Sequence, residues 1–175
     1  MSILNRAAIL LIAALALSAC SNKDRFDNAG AGAGGAGSGA GAGVVPGSAN
    51  DPASPAYFQQ AVGDRVLFLV DQSTLTDEGR ATLDGQAQWL LTNTDYQATI
   101  EGHADEQGTR EYNLALGARR ANTVREYLLS KGVAGTRLKT VSYGKERPIE
   151  ICSEEACYAK NRRAVTVIAA GGLTS

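Results

Sequence analysis

The sequence is short of the residues that most catalytic and metal sites need. It has one histidine, His103, and three cysteines, Cys20, Cys152 and Cys157. A serine–histidine–acid set wants its nucleophile in a strained, exposed turn, and there is no G-x-S-x-G to make one. No glycine loop of the P-loop kind is present to cradle a phosphate. A zinc site needs further ligands at suitable spacing beside a lone imidazole or a cysteine pair, and they are missing. Basic groups are not in excess either. The 17 Lys and Arg against 18 Asp and Glu leave a net charge of −1, and no basic stripe stands out of the kind that tracks a nucleic-acid backbone. Two carboxylates could in principle hydrolyse a glycan, Asp105 with Glu106 or Asp71, but any acidic surface offers such pairs. The expectation is a protein that is not an enzyme and has no cofactor, no metal and no nucleic-acid partner. His103 itself is expected to be a strand-end residue with local hydrogen bonds.

What is present begins with an N-terminal apolar run. Residues 1–20, MSILNRAAILLIAALALSAC, place one arginine before apolar and then small residues. The pattern is that of a signal peptide, and the run is short for a membrane span. Leu17-Ser18-Ala19-Cys20 resembles the lipobox of bacterial lipoproteins. The resemblance implies cleavage before Cys20, a diacylglyceryl thioether on its sulfur and acylation of the new amino terminus. Ser21, where an Asp would signal retention in the inner membrane, implies export to the outer one. Cleavage removes Arg6 and leaves the mature chain one unit more negative. Residues 29–43 are only Gly, Ala and Ser, and the next thirteen, VVPGSANDPASPA, hold three prolines. Such a stretch cannot bury apolar surface, so residues 20–56 are expected to form a tether of roughly 35 Å r.m.s. span. The folded head is expected over residues 57–175. In an exported protein Cys152 and Cys157 read as one short-loop disulfide.

Within the head, Arg65 to Asp71 is a continuous apolar run with β-branched and aromatic residues, and predicts a buried strand. Thr74 and Thr76 are candidate caps for a helix to Thr92, with Leu83, Ala87, Leu90 and Leu91 on one face and Trp89 as partial core. Tyr96 to Gly102 alternates as a second strand. Residues 111–130 repeat Leu114, Gly117, Ala121, Val124 and Leu128 at steps of three and four, a buried helical stripe closed by Lys131-Gly132. Arg137 to Tyr143 and Ala164 to Ala169 predict two more strands. The order βαβαββ implies an α/β two-layer sandwich with the helices on one face of the sheet.

The charges in GHADEQGTREYNLALGARRA, residues 102–121, point to recognition. Asp105 follows the second strand. Leu116, Arg120, Thr123 and Tyr127 share one side of the helix. Asp71 ends the first strand at the same rim, where parallel α/β strands place their ligands. An acid and an arginine there can take the two ends of a zwitterion. They can equally form a salt bridge, Asp105–Arg120 or Asp71–Arg120, that only ties the loop to the helix. Spacing alone leaves both open.

The segment Gly102-His103-Ala104-Asp105-Glu106-Gln107-Gly108-Thr109, with Tyr112-Asn113, Leu116-Gly117 and Arg119-Arg120-Ala121, resembles the signature of OmpA-like domains. Among these it is most similar to the peptidoglycan-associated lipoproteins. Tyr143 to Pro148 and Asn161 to Val165 are similar to the later blocks, so the resemblance covers about residues 60–170. It implies a mixed sheet and non-enzymatic binding of peptidoglycan through the diaminopimelate of the stem peptide. Asp105 and Arg120 would hold the charged groups at its free end, and Asp71, Thr109, Leu116 and Val70 would line the site. Val70 stands where Phe is common, and Arg110 where Pro is frequent. The resemblance also implies an outer-membrane lipoprotein facing the periplasm, with the Tol–Pal system and its protein TolB as partners in envelope integrity and cell division. A TolB-centred adaptor and a wall hydrolase are the alternative readings. Asn161, Arg162 and Arg163 are expected to brace the loop held by Cys152 and Cys157. Tyr112 and Asn113 are expected to fix the start of the helix.

Overall fold

A computed structural model of the chain describes residues 44–171. The signal peptide, Cys20 and the Gly/Ala/Ser run lie outside the described residues, as does the start of the tether. Among those described, four strands hydrogen-bond in the order β1-β4-β2-β3. They are β1 (Arg65–Leu67), β2 (Tyr96–His103), β3 (Leu138–Gly144) and β4 (Arg163–Ala170). β2 and β3 run parallel, and β4 lies antiparallel between β1 and β2. β1 and β2 therefore point the same way without touching, and their carboxyl ends share a rim.

Two long helices, α2 (Asp77–Thr92) and α3 (Arg110–Ser130), pack on one sheet face. The sheet's alternation explains the choice of face: Ala98 and Ile100 of β2 are fully buried, whereas Thr99 and Glu101, which follow each of them, are only half so. The Thr76 hydroxyl caps α2 by accepting from Gly79 N–H (3.0 Å), and Asp77 and Glu78 complement the positive end of the helix. Of the two candidate caps, Thr76 is the one used. Leu83, Leu90, Ala121, Val124 and Leu128 fill the core between the layers. Trp89 is buried against Phe58 and Tyr96, at ring centroid distances of 4.9 and 5.1 Å.

Leu83, Ala87 and Leu90 form the buried face of α2, but Leu91, expected beside them, is 47 % exposed. Four further expectations change. The stretch Arg65 to Asp71 is not one buried strand. Pairing ends at Leu67, and Leu69 and Val70 are exposed while Val66 and Phe68 face the core. β1 is an edge strand, so its apolar run is buried only at alternate positions. The buried stripe of α3 holds except at Leu114, which is 45 % exposed. Its backbone docks on β3, where Ser142 Oγ donates to the Leu114 carbonyl (2.6 Å) and the Gly144 backbone abuts it, and the side chain turns outward. The packed structure starts before Tyr57. Ser54 is buried and caps α1 (Pro55–Tyr57), which continues as a π-helix to Gly63, and Trp89 Nε1 donates to the Pro52 carbonyl at 2.7 Å. A short helix, α4 (Glu155–Asn161), stands between β3 and β4. At seven residues without an apolar stripe, it left no periodic signal. Cys152 and Cys157, disulfide-bonded with their Cα atoms 6.0 Å apart, bracket its first turn.

Close approach of α3 to β2 rests on two glycines. A Cβ on Gly117 would stand 2.8 Å from the Gly102 carbonyl oxygen and would also strike Ser142 Oγ. Gly117→Ala is therefore expected to cost about 1–3 kcal/mol through overpacking, read as a lower urea midpoint with unchanged slope.

His103 departs from its expectation as well. It is 2 % exposed, and neither ring nitrogen has a hydrogen-bond partner. Burial, then the nearby Arg163 and Arg147 charges, push its pKa down to about 4. The unfolded chain binds this proton first, so stability is complete above the ordinary histidine pKa and is lost as pH falls from there to about 4. A loss of about 2–3 kcal/mol is expected across that window. His103→Phe, which cannot take the proton, should flatten the pH dependence of the urea midpoint relative to wild type.

Candidate functional site

Arg120 lies fully buried, one helical turn beyond Leu116 on α3. Its guanidinium is engaged by backbone. Nε donates to the Gln72 carbonyl (2.8 Å), Nη1 to His103 (2.8 Å) and Nη2 to Leu69 (3.2 Å). The ring of Phe68 lies 5.2 Å from its carbon centre. One side chain thus ties the end of β2 to residues 69–72, the segment leaving β1. Burial lowers its pKa to about 10, with the nearby Asp105 and Asp71 charges acting the other way, so the group stays cationic at neutral pH. Neither anticipated salt bridge, Asp105–Arg120 or Asp71–Arg120, is formed. The arginine clamps carbonyls instead, and its charge lies under the acids.

Close to this charge is a pocket of about 230 Å³, walled by Val70 and Asp71 from the clamped segment, Asp105, Gln107 and Gly108 from the loop after β2, and Tyr112, Asn113 and Leu116 from the first turns of α3; the fully buried Arg120 does not itself wall it. Asp71 adopts a left-handed backbone (φ +56°), which Asp tolerates better than bulkier residues. Its carboxylate accepts from the Tyr112 hydroxyl, which raises the Tyr112 pKa. Asp105 is nearly buried. Its Oδ1 accepts from Gln107 N–H (3.3 Å) and its Oδ2 from Arg162 Nη1 (3.1 Å). Thr109 does not wall the pocket. It caps α3, its hydroxyl accepting from Tyr112 N–H at 3.2 Å.

Tyr112 and Asn113 do more than start the helix, since both face the pocket. Asn113 is buried, and its Nδ2 donates to the Gln107 carbonyl (2.7 Å), shaping the loop. The signal was in the spacing: Tyr112, Leu116 and Arg120 follow one another at i, i+4 and lie on one side of α3.

Asn161 and Arg163 brace the loop after β3. The Asn161 amide oxygen accepts from Ile149 and Glu150 N–H (2.9 and 3.3 Å), its nitrogen donates to Glu106 Oε1 (2.6 Å), and Arg163 Nη2 donates to the Arg147 carbonyl (3.1 Å). Arg162 goes further. It donates to Phe68 O (3.3 Å), to Asp105 and, through Nη2, to Glu155. Burial opposes its charge, but the bonds to Glu155 and Asp105 outweigh it and raise its pKa.

Two carboxylates over a buried guanidinium can accept an ammonium while leaving positive charge for an anionic group beside it. Among the described residues no cluster of His, Cys, Asp and Glu suits a metal ion. Arg120→Ala strands three carbonyls, so a loss of roughly 3–5 kcal/mol is expected. Chemical denaturation measures it, and Arg120→Lys should recover only part, because a single ammonium nitrogen cannot reach three carbonyls that are bonded by three different guanidinium nitrogens.

Comparison with known proteins agrees with this architecture. Residues 67–162 match the model of the OmpA family. The chain is 50% identical over 168 residues to the peptidoglycan-associated lipoprotein of Rhizobium meliloti, covering 96% of this chain and 90% of that one. The crystal structure of the peptidoglycan-associated lipoprotein from Burkholderia pseudomallei superposes with a TM-score of 0.61 at 40% identity, over 69% of this chain and 98% of that one. The C-terminal domain of Helicobacter pylori MotB shares the fold at 20% identity and a TM-score of 0.57, over 61% of this chain and 84% of that one. With its α/β sandwich, its rim pocket and its near-full-length match to such relatives, the chain belongs to the OmpA family and, within it, to the peptidoglycan-associated lipoproteins.

Proposed function

We propose that the chain is an outer-membrane lipoprotein that grips peptidoglycan non-covalently, taking the free zwitterionic end of diaminopimelate into the pocket at the carboxyl ends of β1 and β2. The observation that carries this reading is the charge arrangement: Asp71 and Asp105 face one small pocket, and the buried Arg120, though not part of its wall, lies near enough to feel both acids. The ligand ammonium sits against the two carboxylates, and its carboxylate turns towards the arginine. Val70 and Leu116 provide the apolar wall for the side-chain methylenes. The names of the relatives, peptidoglycan-associated lipoprotein, support the ligand class.

Cys20 carries the lipid in this reading, and residues 21–43 are part of the tether. A single pocket binds modestly. Many copies held beside a polymer gain avidity, and the tether sets the effective concentration. TolB, with the Tol–Pal system, is the proposed protein partner, on the strength of the family resemblance.

Co-sedimentation with purified diaminopimelate-type sacculi tests the proposal. Wild type should pellet and release no soluble fragments. Asp105→Ala should lower the bound fraction at least as much as a tenfold rise in Kd would, about 1.4 kcal/mol, with an unchanged circular dichroism spectrum. Full binding by the folded Asp105→Ala protein overturns the site. Released fragments would mean a hydrolase, and no pelleting of wild type would favour an adaptor acting through TolB.

A further inference from the structure

We propose that Glu155, held in place by the Cys152–Cys157 bridge, is a positioning residue that acts through Arg162 to keep Asp105 open to its ligand. This inference rests on the pocket being the binding site proposed above.

Arg162 has two partners with opposite surroundings. Asp105, nearly buried, receives only Nη1, on Oδ2 at 3.1 Å. Glu155, whose side chain is 67 % exposed, receives Nη2, and Nη1 also lies 3.4 Å from its other oxygen. A free guanidinium beside a carboxylate closes into a two-pronged pair, which is the stronger geometry. Glu155 prevents that by holding the second prong. Asp105 Oδ1 is then left with one long bond, 3.3 Å from Gln107 N–H, and keeps lone pairs for a ligand ammonium. Glu155 also offsets the Arg162 charge, so Asp105 is not neutralised by its neighbour.

Asn161 anchors the far end of α4, and the bridge fixes the near end, where Glu155 stands. It is the first residue of α4, a seven-residue helix whose N-cap, Glu154, makes no side-chain capping bond. So short a helix is marginal alone. The disulfide joins Cys152, outside the helix, to Cys157 within it, and closes the loop that contains Glu155. A bridge over so few residues orders its own loop more than it stabilises the domain. The exposed surface of α4 thus reaches a buried pocket acid through one arginine.

The test uses the full-length protein in detergent and a soluble stem peptide ending in meso-diaminopimelate, with affinity read by calorimetry. Glu155→Gln should weaken binding about three- to tenfold with little change in melting temperature, because Glu155 itself is exposed and Arg162 keeps its bonds to Asp105 and Phe68. Cys152→Ser with Cys157→Ser should weaken it by a similar factor, and the triple variant should be no weaker than either. The Arg162 Nε–H resonance should move in the same way in all three, a signature that a general loss of packing does not give. Wild-type affinity in Glu155→Gln, while Asp105→Ala abolishes binding, overturns this inference and leaves the pocket standing. Multiplied losses in the triple variant overturn the role of the bridge. Unchanged binding by Asp105→Ala removes the pocket reading and this inference with it.

Discussion

The buried guanidinium of Arg120 is the interaction on which the rim depends. Taking a charge out of water costs several kcal/mol unless its donors are satisfied. Here it is satisfied by three carbonyls from two separate parts of the chain, Leu69 and Gln72 after β1 and His103 at the end of β2. The exposed Leu69–Asp71 segment has no sheet partner, so this clamp holds it in place. The cost of burial appears in the lowered pKa, and the nearby acids Asp105 and Asp71 act against that lowering. Structure and electrostatics are one arrangement: the charge that orders the pocket wall also acts on the two acids that face the pocket.

The rest of the fold delivers elements to that clamp. β4 pairs between β1 and β2 and keeps them co-directional, so their carboxyl ends open on one side. The paired glycines at 102 and 117 let α3 lie close on β2, and this brings the helix start, with Tyr112, Asn113 and Leu116, over the loop that carries Asp105. Arg162, on the other side, ties that loop to α4 and to Phe68. The site is thus a set of loop ends tensioned between buried arginines.

Much of this was legible in the residues because periodicity reports burial. The alternation of β2 and the stripe of α3 are one-dimensional patterns set by packing against a single neighbour. The family signature fixed which acid and which arginine to watch. What was not legible depends on pairing between distant segments. Nothing local to Arg65–Asp71 says that it is an edge strand released after Leu67. Nothing local to Arg120 says that two of its three partners are the carbonyls of Leu69 and Gln72, 51 and 48 residues upstream in the chain, since backbone acceptors carry no sequence signal. The burial of Ser54 and the bond from Trp89 to the Pro52 carbonyl were hidden in a proline-rich stretch that composition alone assigns to the tether. The helix α4 was hidden by its length, and its Glu155 by being one of several exposed acids.

In the function proposed here the pocket selects a zwitterion by charge. Calorimetric titration of the full-length protein with two stem peptides tests that most directly, one ending in free meso-diaminopimelate and the other identical but acetylated on the side-chain ammonium. Acetylation removes the cation that Asp71 and Asp105 are placed to accept, so the account predicts a loss of affinity of at least tenfold, about 1.4 kcal/mol. Equal affinity for the two peptides would contradict it and move recognition away from the two carboxylates.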